Sequence, residues 1–496
     1  MLVFIRAILV AALAAIVPSY AQQSSPASGG GEILRQIQEL REALKEVRQE
    51  LEDSRRETRA LRRELENVQG ALSARGSTID GAVEAVPPAA GLARLKEDQD
   101  LLAERVAEHE QTKVESGSKY RVRVSGMALI NIANNVGTVD HTDMPTRALS
   151  PGAGESGGTF AATARQTFFR LEVFGPKVAG AATRGEASFD FFGGFPYTPE
   201  AVTAGLVRMR TASITLDWKN TSLFAGQEAP FISPLSPTSL AMVAYPALSG
   251  AGNLWVWTPQ ARVERRFAIS DTSRLSIQAG VMDPLSGEYL GYVYNRVPYA
   301  GERSRIPAFA ARIGWQGEAA GRTASIGAGG YYSRQDWKFG RQNDAWAATA
   351  DWDVPIGQHW SLSGEFYRGR AIAGLGGSAT GSVLFSANPT LPASSVIPLD
   401  SAGGWAQLKF KPVERLEFNW VFGEDYSYRK HLSYFYTTDY VRGSGSSRNA
   451  SGFVNAIFQL RSNVLLSLEY RKLWTTGFGV PKLRADHVNI GGGIVF

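Results

Sequence analysis

From Lys119 to Phe496 apolar side chains recur on every second position, and this period of two constrains the fold more than any other feature. The last eleven residues illustrate it. Val488, Ile490, Gly492, Ile494 and Phe496 share one parity, and His487, Asn489, Gly491, Gly493 and Val495 share the other. Side chains of a strand alternate between its faces, so one face here is apolar and the other mostly small or polar. The same alternation runs through Val122 to Ile132, Leu275 to Val281, Phe309 to Trp315, Trp346 to Trp352 and Leu416 to Phe422. In Val464 to Tyr470 only Leu465 breaks it. Charged residues keep to the other parity, a division that a soluble sandwich would not need. No window after the N-terminus reaches the apolar length of a spanning helix. Mean hydropathy is slightly polar, at −0.15. A membrane barrel has that profile, because only alternate residues meet lipid.

About sixteen such segments can be placed, starting near Lys119, Thr163, Thr183, Leu206, Thr221, Pro259, Thr272, Arg305, Arg322, Asp344, His359, Gly403, Arg415, Arg448, Asn463 and Asp486. An even number puts both ends of the barrel on one side of the membrane. Gly175-Pro176, Trp218-Lys219-Asn220 and Lys411-Pro412 read as short turns; Ala133 to Ala162, Asp283 to Ser304 and Ala371 to Ala402 read as long loops. Trp218, Trp315, Trp352, Trp360 and Tyr470 fall near segment ends, where an interfacial aromatic girdle would sit. Glu228 to Trp257 is long, poor in charge and carries Pro230, Pro234, Pro237 and Pro246. It either folds into the barrel and narrows it, or packs on a neighbouring subunit.

The N-terminal region has another character. Residues 1–21 read as a secretory signal peptide: Arg6, an apolar run from Ala7 to Val17, then Ser19-Tyr20-Ala21 as a small-x-small cleavage pattern. Residues 22–32 form a Ser/Gly/Pro-rich linker. Residues 33–75 carry heptads, with Ile37, Leu44, Leu51, Thr58, Leu65 and Leu72 at a, and Ile33, Leu40, Val47, Ser54, Leu61 and Val68 at d. Glu50 and Glu57 at g can meet Arg55 and Arg62 at e of a parallel neighbour, which favours in-register pairing. Residues 76–118 form a linker, with Pro87-Pro88, and a second short helical pattern. The fold expected is an all-β transmembrane barrel of about sixteen antiparallel strands over 119–496, preceded by an N-terminal α-helical coiled coil.

Charge divides along the same boundary. Residues 22–118 hold 14 Lys+Arg against 19 Asp+Glu, and residues 119–496 hold 37 against 28. A basic barrel suits membrane headgroups or anionic solutes. Without dense basic clusters interleaved with aromatics, nucleic acid is not an expected partner. The chain has no cysteine, which excludes disulfides, thiol catalysis and Cys-based zinc sites. His109, His141, His359, His431 and His487 form no metalloprotease motif, and no nucleophile elbow or phosphate loop stands in the right context. No enzyme activity, metal or cofactor is expected.

A C-terminal strand ending in Phe resembles the last strand of bacterial outer-membrane barrels. With the signal peptide and the coil, the layout resembles trimeric outer-membrane porins, the DcaP-like and phosphate-selective porins in particular. Ala162-Thr163-Ala164-Arg165-Gln166-Thr167, Leu206-Val207-Arg208-Met209-Arg210 and Leu223-Phe224-Ala225-Gly226-Gln227 look like DcaP-type segments. The resemblance implies 16 strands, three barrels per assembly, a third long loop constricting each pore, and a preference for anions. The loop from Glu228 carries no lysine-rich ladder, so phosphate specificity is not implied.

A pore selects by its diameter and its lining charges. Guanidinium groups present a rigid donor fork to carboxylates and phosphates. Arg208 and Arg210 share a parity and project to one side. With Arg165, Arg170, Arg262, Arg266 and Arg312 they are candidates for a basic wall opposite acidic residues such as Glu186 and Asp190. The plainer reading is of solvated residues that keep a lumen wet. The expected function is diffusion of small hydrophilic, anionic solutes through the outer membrane, with the coil in the periplasm. The alternative is an envelope tether or adhesin, in which the coil is functional, binding the cell wall for example, and the barrel is an anchor.

Overall fold

The computed structural model describes residues 120–155, 157–196, 205–288, 296–378, 381–428, 446–477 and 482–496. The expected signal peptide, linkers and coiled coil of residues 1–118 lie outside the described residues.

The barrel strands, in chain order, are β1 (Arg121–Val136), β2 in two pieces (Gly158–Thr163 and Phe168–Phe174), β3 (Ala182–Asp190), β4 (Arg208–Asp217), β5 (Thr221–Glu228), β6 (Thr258–Ser270), β7 (Ser273–Met282) and β8 (Ala308–Ala319). There follow β9 (Arg322–Asp336), β10 (Gln342–Ile356), β11 (Trp360–Arg370), β12 (Asp400–Val413), β13 (Leu416–Ser427), β14 (Ser446–Gln459), β15 (Val464–Gly477) and β16 (Leu483–Val495). Each is antiparallel to the next. The two pieces of β2 lie end to end along β1, so the 17 segments of the sheet make 16 strands. β16 returns to β1 from Met127↔Val495 to Val136↔Asp486 and closes the barrel. The amide of Phe496 donates to the carbonyl of Gly126 at 3.1 Å, and the Gly126 amide donates back to Phe496 at 2.8 Å. A Cβ on Gly126 would meet the Phe168 carbonyl at 2.3 Å, so the seam requires glycine there.

Connections alternate in length. At the end where the chain enters β1, residues 218–220, 320–321, 357–359 and 414–415 make tight turns. At the other end, residues 137–157, 229–257, 283–307 and 371–399 are long. Lys411-Pro412 is not a turn. It lies inside β12, where the register slips between Phe410 and Val413; proline has no amide for the ladder, and the strand bulges around it.

The alternating faces sort as the period of two requires. On β16 Ala485, His487, Asn489, Gly491 and Gly493 are buried, while Val488, Ile490 and Ile494 are exposed. The outer face of this strand is thus apolar, with none of the described residues packed against it. At the short-turn end Trp360 stacks on Phe410 at 4.3 Å and lies 6.1 Å from Trp420. Tyr470 differs from expectation: it stands mid-strand in β15, its hydroxyl on Asp486 at 2.5 Å. No helix among the described residues is long and apolar enough to cross a membrane.

The packed core lies inside the barrel. Residues 229–257 leave the end of β5 and run through the interior before rejoining the wall at β6. Phe231, Ile232 and Leu254 pack on Met282, Tyr331 and Tyr367. Met242, Ala244 and Leu248 pack on Phe192, Trp405, Val421 and Phe453. Complete burial of a side chain such as Ile232 contributes about 1.5–3 kcal/mol. The low charge of this loop is what permits the packing.

Candidate permeation pathway

The interior loop does not divide the lumen evenly. Its polar contacts reach mainly the β10–β16 wall and β1. The Thr349 hydroxyl donates to the Ile232 carbonyl at 2.6 Å. Glu365 accepts from the Ser233 hydroxyl at 2.6 Å and the Leu235 amide at 2.7 Å. Gln407 accepts from the Thr238 amide at 2.7 Å. Glu469 accepts from the Ser239 hydroxyl at 2.5 Å, from Asn455 at 3.1 Å and from Arg471 at 2.7 Å. Glu469 and Arg471 are fully buried. Gly252 lies so close to the wall that a Cβ would meet the Gly404 carbonyl at 2.2 Å; its φ of +99° is one that glycine adopts without strain.

The β2–β8 wall stays partly open. Its inward positions follow from the register Arg170↔Ser188, Glu186↔Ser213 and Asp190↔Arg208 on one side, and Phe224↔Arg262 and Gln278↔Arg312 on the other. On the strands of β1–β7 the described inward positions hold nine arginines, Arg121 among them, against six carboxylates. This half of the lumen is therefore net positive.

Arg208 and Arg210 face inward together. Asp190, across from Arg208, receives its Nε at 3.0 Å and an Nη2 at 2.6 Å, and the Nε of Arg210 lies 3.8 Å away. Each arginine also donates to the loop, Arg208 to the Ala244 carbonyl and Arg210 to the Val243 carbonyl, both at 3.0 Å. Trp257 lies beneath both guanidiniums, at 4.9 and 5.1 Å. Aromatic faces and carbonyls hold the planes in place while leaving part of each cation accessible. Arg262 stacks on Phe224 at 3.9 Å and pairs with Glu228 at 3.1 Å. Arg266 bridges Asp217 at 2.8 Å and Glu264 at 3.2 Å. Arg312 holds Asp351 through two bonds of 3.0 and 2.6 Å. Arg170 lies 3.4 Å from Glu186, its side chain half exposed.

Two placements differ from expectation. Glu186 and Asp190 do not stand opposite the arginines. They sit beside them on adjoining strands, because cross-strand partners on one face lie only about 5 Å apart. Arg165 belongs to neither wall. It occupies the break in β2, bonds to Asp143 of the first long loop, and stacks between Phe192 and Phe195 at 4.1 and 4.3 Å. The break has a use of its own. Gln166 turns inward, donates to Asn131 and to the Ala241 carbonyl, and accepts from the amides of Val243 and Ala244.

Sequence reasoning passed over Arg123 and Arg184, which flank the buried Glu172 at 2.7 and 3.5 Å near the short-turn end. Their signal was available, since Arg121 and Arg123 alternate with Val122 and Val124. Outside the strands, Arg296 pairs with Asp283 at 3.2 Å and also with Glu302. Burial and the Glu302 charge push the Asp283 carboxyl up, and the bond to Glu302 raises Arg296. Among the described residues no group of His, Asp or Glu could hold a metal ion.

No family model matches the sequence, and no curated protein does either. Solved structures do match in fold. The outer membrane channel DcaP of Acinetobacter baumannii aligns over 78% of this chain and 100% of its own, with a TM-score of 0.56 at 16% identity. An anion-selective porin from Comamonas acidovorans aligns over 76% of this chain and 100% of its own, with a TM-score of 0.48 at 10% identity. With 16 antiparallel strands closed on themselves, the chain has the fold of a DcaP-like porin.

Proposed function

We propose that this protein is an outer-membrane porin through which small hydrophilic anions diffuse along an arginine-bearing wall. The observation that carries the reading is the placement of residues 229–257. The loop lies against the β10–β16 wall, buries the carboxylates of Glu365 and Glu469 behind it, and leaves the β2–β8 wall partly accessible. Anions then meet Arg170 and Arg262, with Arg208 and Arg210 between them, Arg266 nearer the short-turn end of the same strand as Arg262, and Arg312 further round the wall. The described likeness to an outer membrane channel supports passage rather than bond-breaking chemistry. In this reading three copies assemble in the outer membrane, held by their barrels and by the heptads of residues 33–75 in the periplasm.

Single-channel conductance in a planar bilayer, with the reversal potential under a salt gradient, tests it. Steady steps with an anion-selective reversal potential are expected. Cation-selective steps would keep the pore and remove the arginine wall. A chain that inserts and does not conduct would be an anchor, and the tether reading would replace this one.

A further inference from the structure

The outer face of the barrel carries a furrow. Ala402, Gly404 and Ala406 of β12 point outward and leave a gap of about 440 Å³ between two aromatic flanks. Trp352 and Phe366 stand on one side, Phe422 and Tyr426 on the other. The register sets them level with the gap, through Phe366↔Gly404, Ala402↔Tyr426 and Ala406↔Phe422. Trp352 lies across Gly364, where a Cβ would meet its ring at 2.4 Å, so the flank is a flat indole. From Ala402 to Ala406 the gap runs roughly 13 Å at about 3.3 Å per residue.

Towards the long-loop end the furrow runs up to cations. Arg370 pairs with Asp400 at 2.8 Å, Arg368 lies over Tyr428 at 4.2 Å, and Arg448 pairs with Glu424 at 2.6 Å. Among the described residues three guanidiniums face two carboxylates, a net positive charge, and Arg370 and Arg448 are close to half exposed. Tyr332 with Asp344, and Lys472 with Asp486, belong to the outer face of other strands near the same end, beyond the apolar band. Headgroups meet a barrel at such a boundary.

We propose that this furrow binds one membrane lipid, its acyl chain along Ala402, Gly404 and Ala406 and its anionic phosphate headgroup at Arg368, Arg370 and Arg448. The inference rests on the reading of the chain as a membrane barrel. The complementarity is twofold: an apolar channel one strand wide takes a chain, and guanidinium forks take phosphate oxygens. A second copy of the barrel would present pleated strands about 4.8 Å apart, which do not fill a continuous slot ending in cations.

The test reconstitutes the full chain in vesicles of equimolar phosphatidylglycerol and phosphatidylcholine, extracts it gently, and identifies retained lipid by native mass spectrometry. The wild type should retain phosphatidylglycerol over phosphatidylcholine several-fold. Filling the furrow with Ala402→Leu and Ala406→Phe should abolish retention. Arg370→Gln with Arg448→Gln should keep a bound lipid and lose the preference. Ala311→Phe, on the outer face of β8, should change nothing. Equal retention in the filled variant, equal loss in the β8 variant, or cross-linking of two copies through position 406 would overturn the proposal. Conductance separates the two levels of failure: a barrel that inserts and conducts without retaining the lipid refutes the furrow alone, and a chain that does not insert refutes the membrane reading and the furrow with it.

Discussion

Asp190 serves two guanidiniums at once from a fully buried position, which makes it the balance point of the proposed pathway. Neutralising Arg208 and Arg210 together, as Gln, should lower the anion-to-cation permeability ratio several-fold. Asp190→Asn should raise it, since both cations then lack their counter-charge while loop carbonyls and aromatic faces still hold them. Reversal potentials read both signs; movement in the same direction would refute the assignment. A different expectation attaches to Glu469. It is the carboxylate partner of the buried Arg471, and Glu469→Ala leaves that cation in the wall without a carboxylate, beside the Met242 sulfur and the Phe453 ring. Breaking one side of such a pair costs about 3–5 kcal/mol, which a denaturant midpoint of the folded barrel would register. Arg262→Ala, on the partly open wall, should move the same midpoint far less.

At the scale of elements the strands were legible and their interruptions were not. A period of two depends on local sequence alone, so all sixteen starts fall within a few residues of the observed ones; the farthest is Thr163 against Gly158, where β2 begins earlier and then breaks. That break and the bulge at Pro412 depend on distant partners or on a lost amide, which alternation does not encode. The parity of Arg208 with Arg210 was legible too, and so was the alternation that turns Arg312 inward. The roles of Gln166, Glu365 and Glu469 were not, because each is defined by a loop residue far away in sequence. For residues 229–257 composition allowed two placements, and burial against Tyr367 and Phe453 decides for the interior. Replacing residues 236–252 with a short Gly/Ser linker should therefore leave the strands paired while single-channel conductance rises and anion preference falls, as the carboxylates of the β10–β16 wall become accessible. An unchanged conductance would mean that the loop does not bound the pathway.

At the scale of the molecule, the outer face and the heptads make separate claims on assembly. The barrel closes within one chain, each strand pairing on both edges, so folding of the pore requires no second copy. In the proposed trimer the heptads of residues 33–75 would pair with those of other copies, because a seam of Ile, Leu and Val would have nowhere to be buried in a lone charged helix. About forty helical residues at 1.5 Å each would form a rod of roughly 60 Å. Polar Ser54 and Thr58 in its seam would weaken it and help fix its register. Deleting residues 22–118 while keeping residues 1–21 should consequently leave per-pore conductance and selectivity as they are. If the copies form the proposed trimer, it should also lower the temperature at which the assembly dissociates on a semi-native gel, and replace simultaneous triple conductance steps by independent single ones. Loss of conductance in that variant would tie residues 22–118 to the pore itself. An unchanged dissociation temperature would leave the barrel faces as the contacts that hold the copies together, and would free the heptads for a partner in the cell envelope, as the tether reading expects.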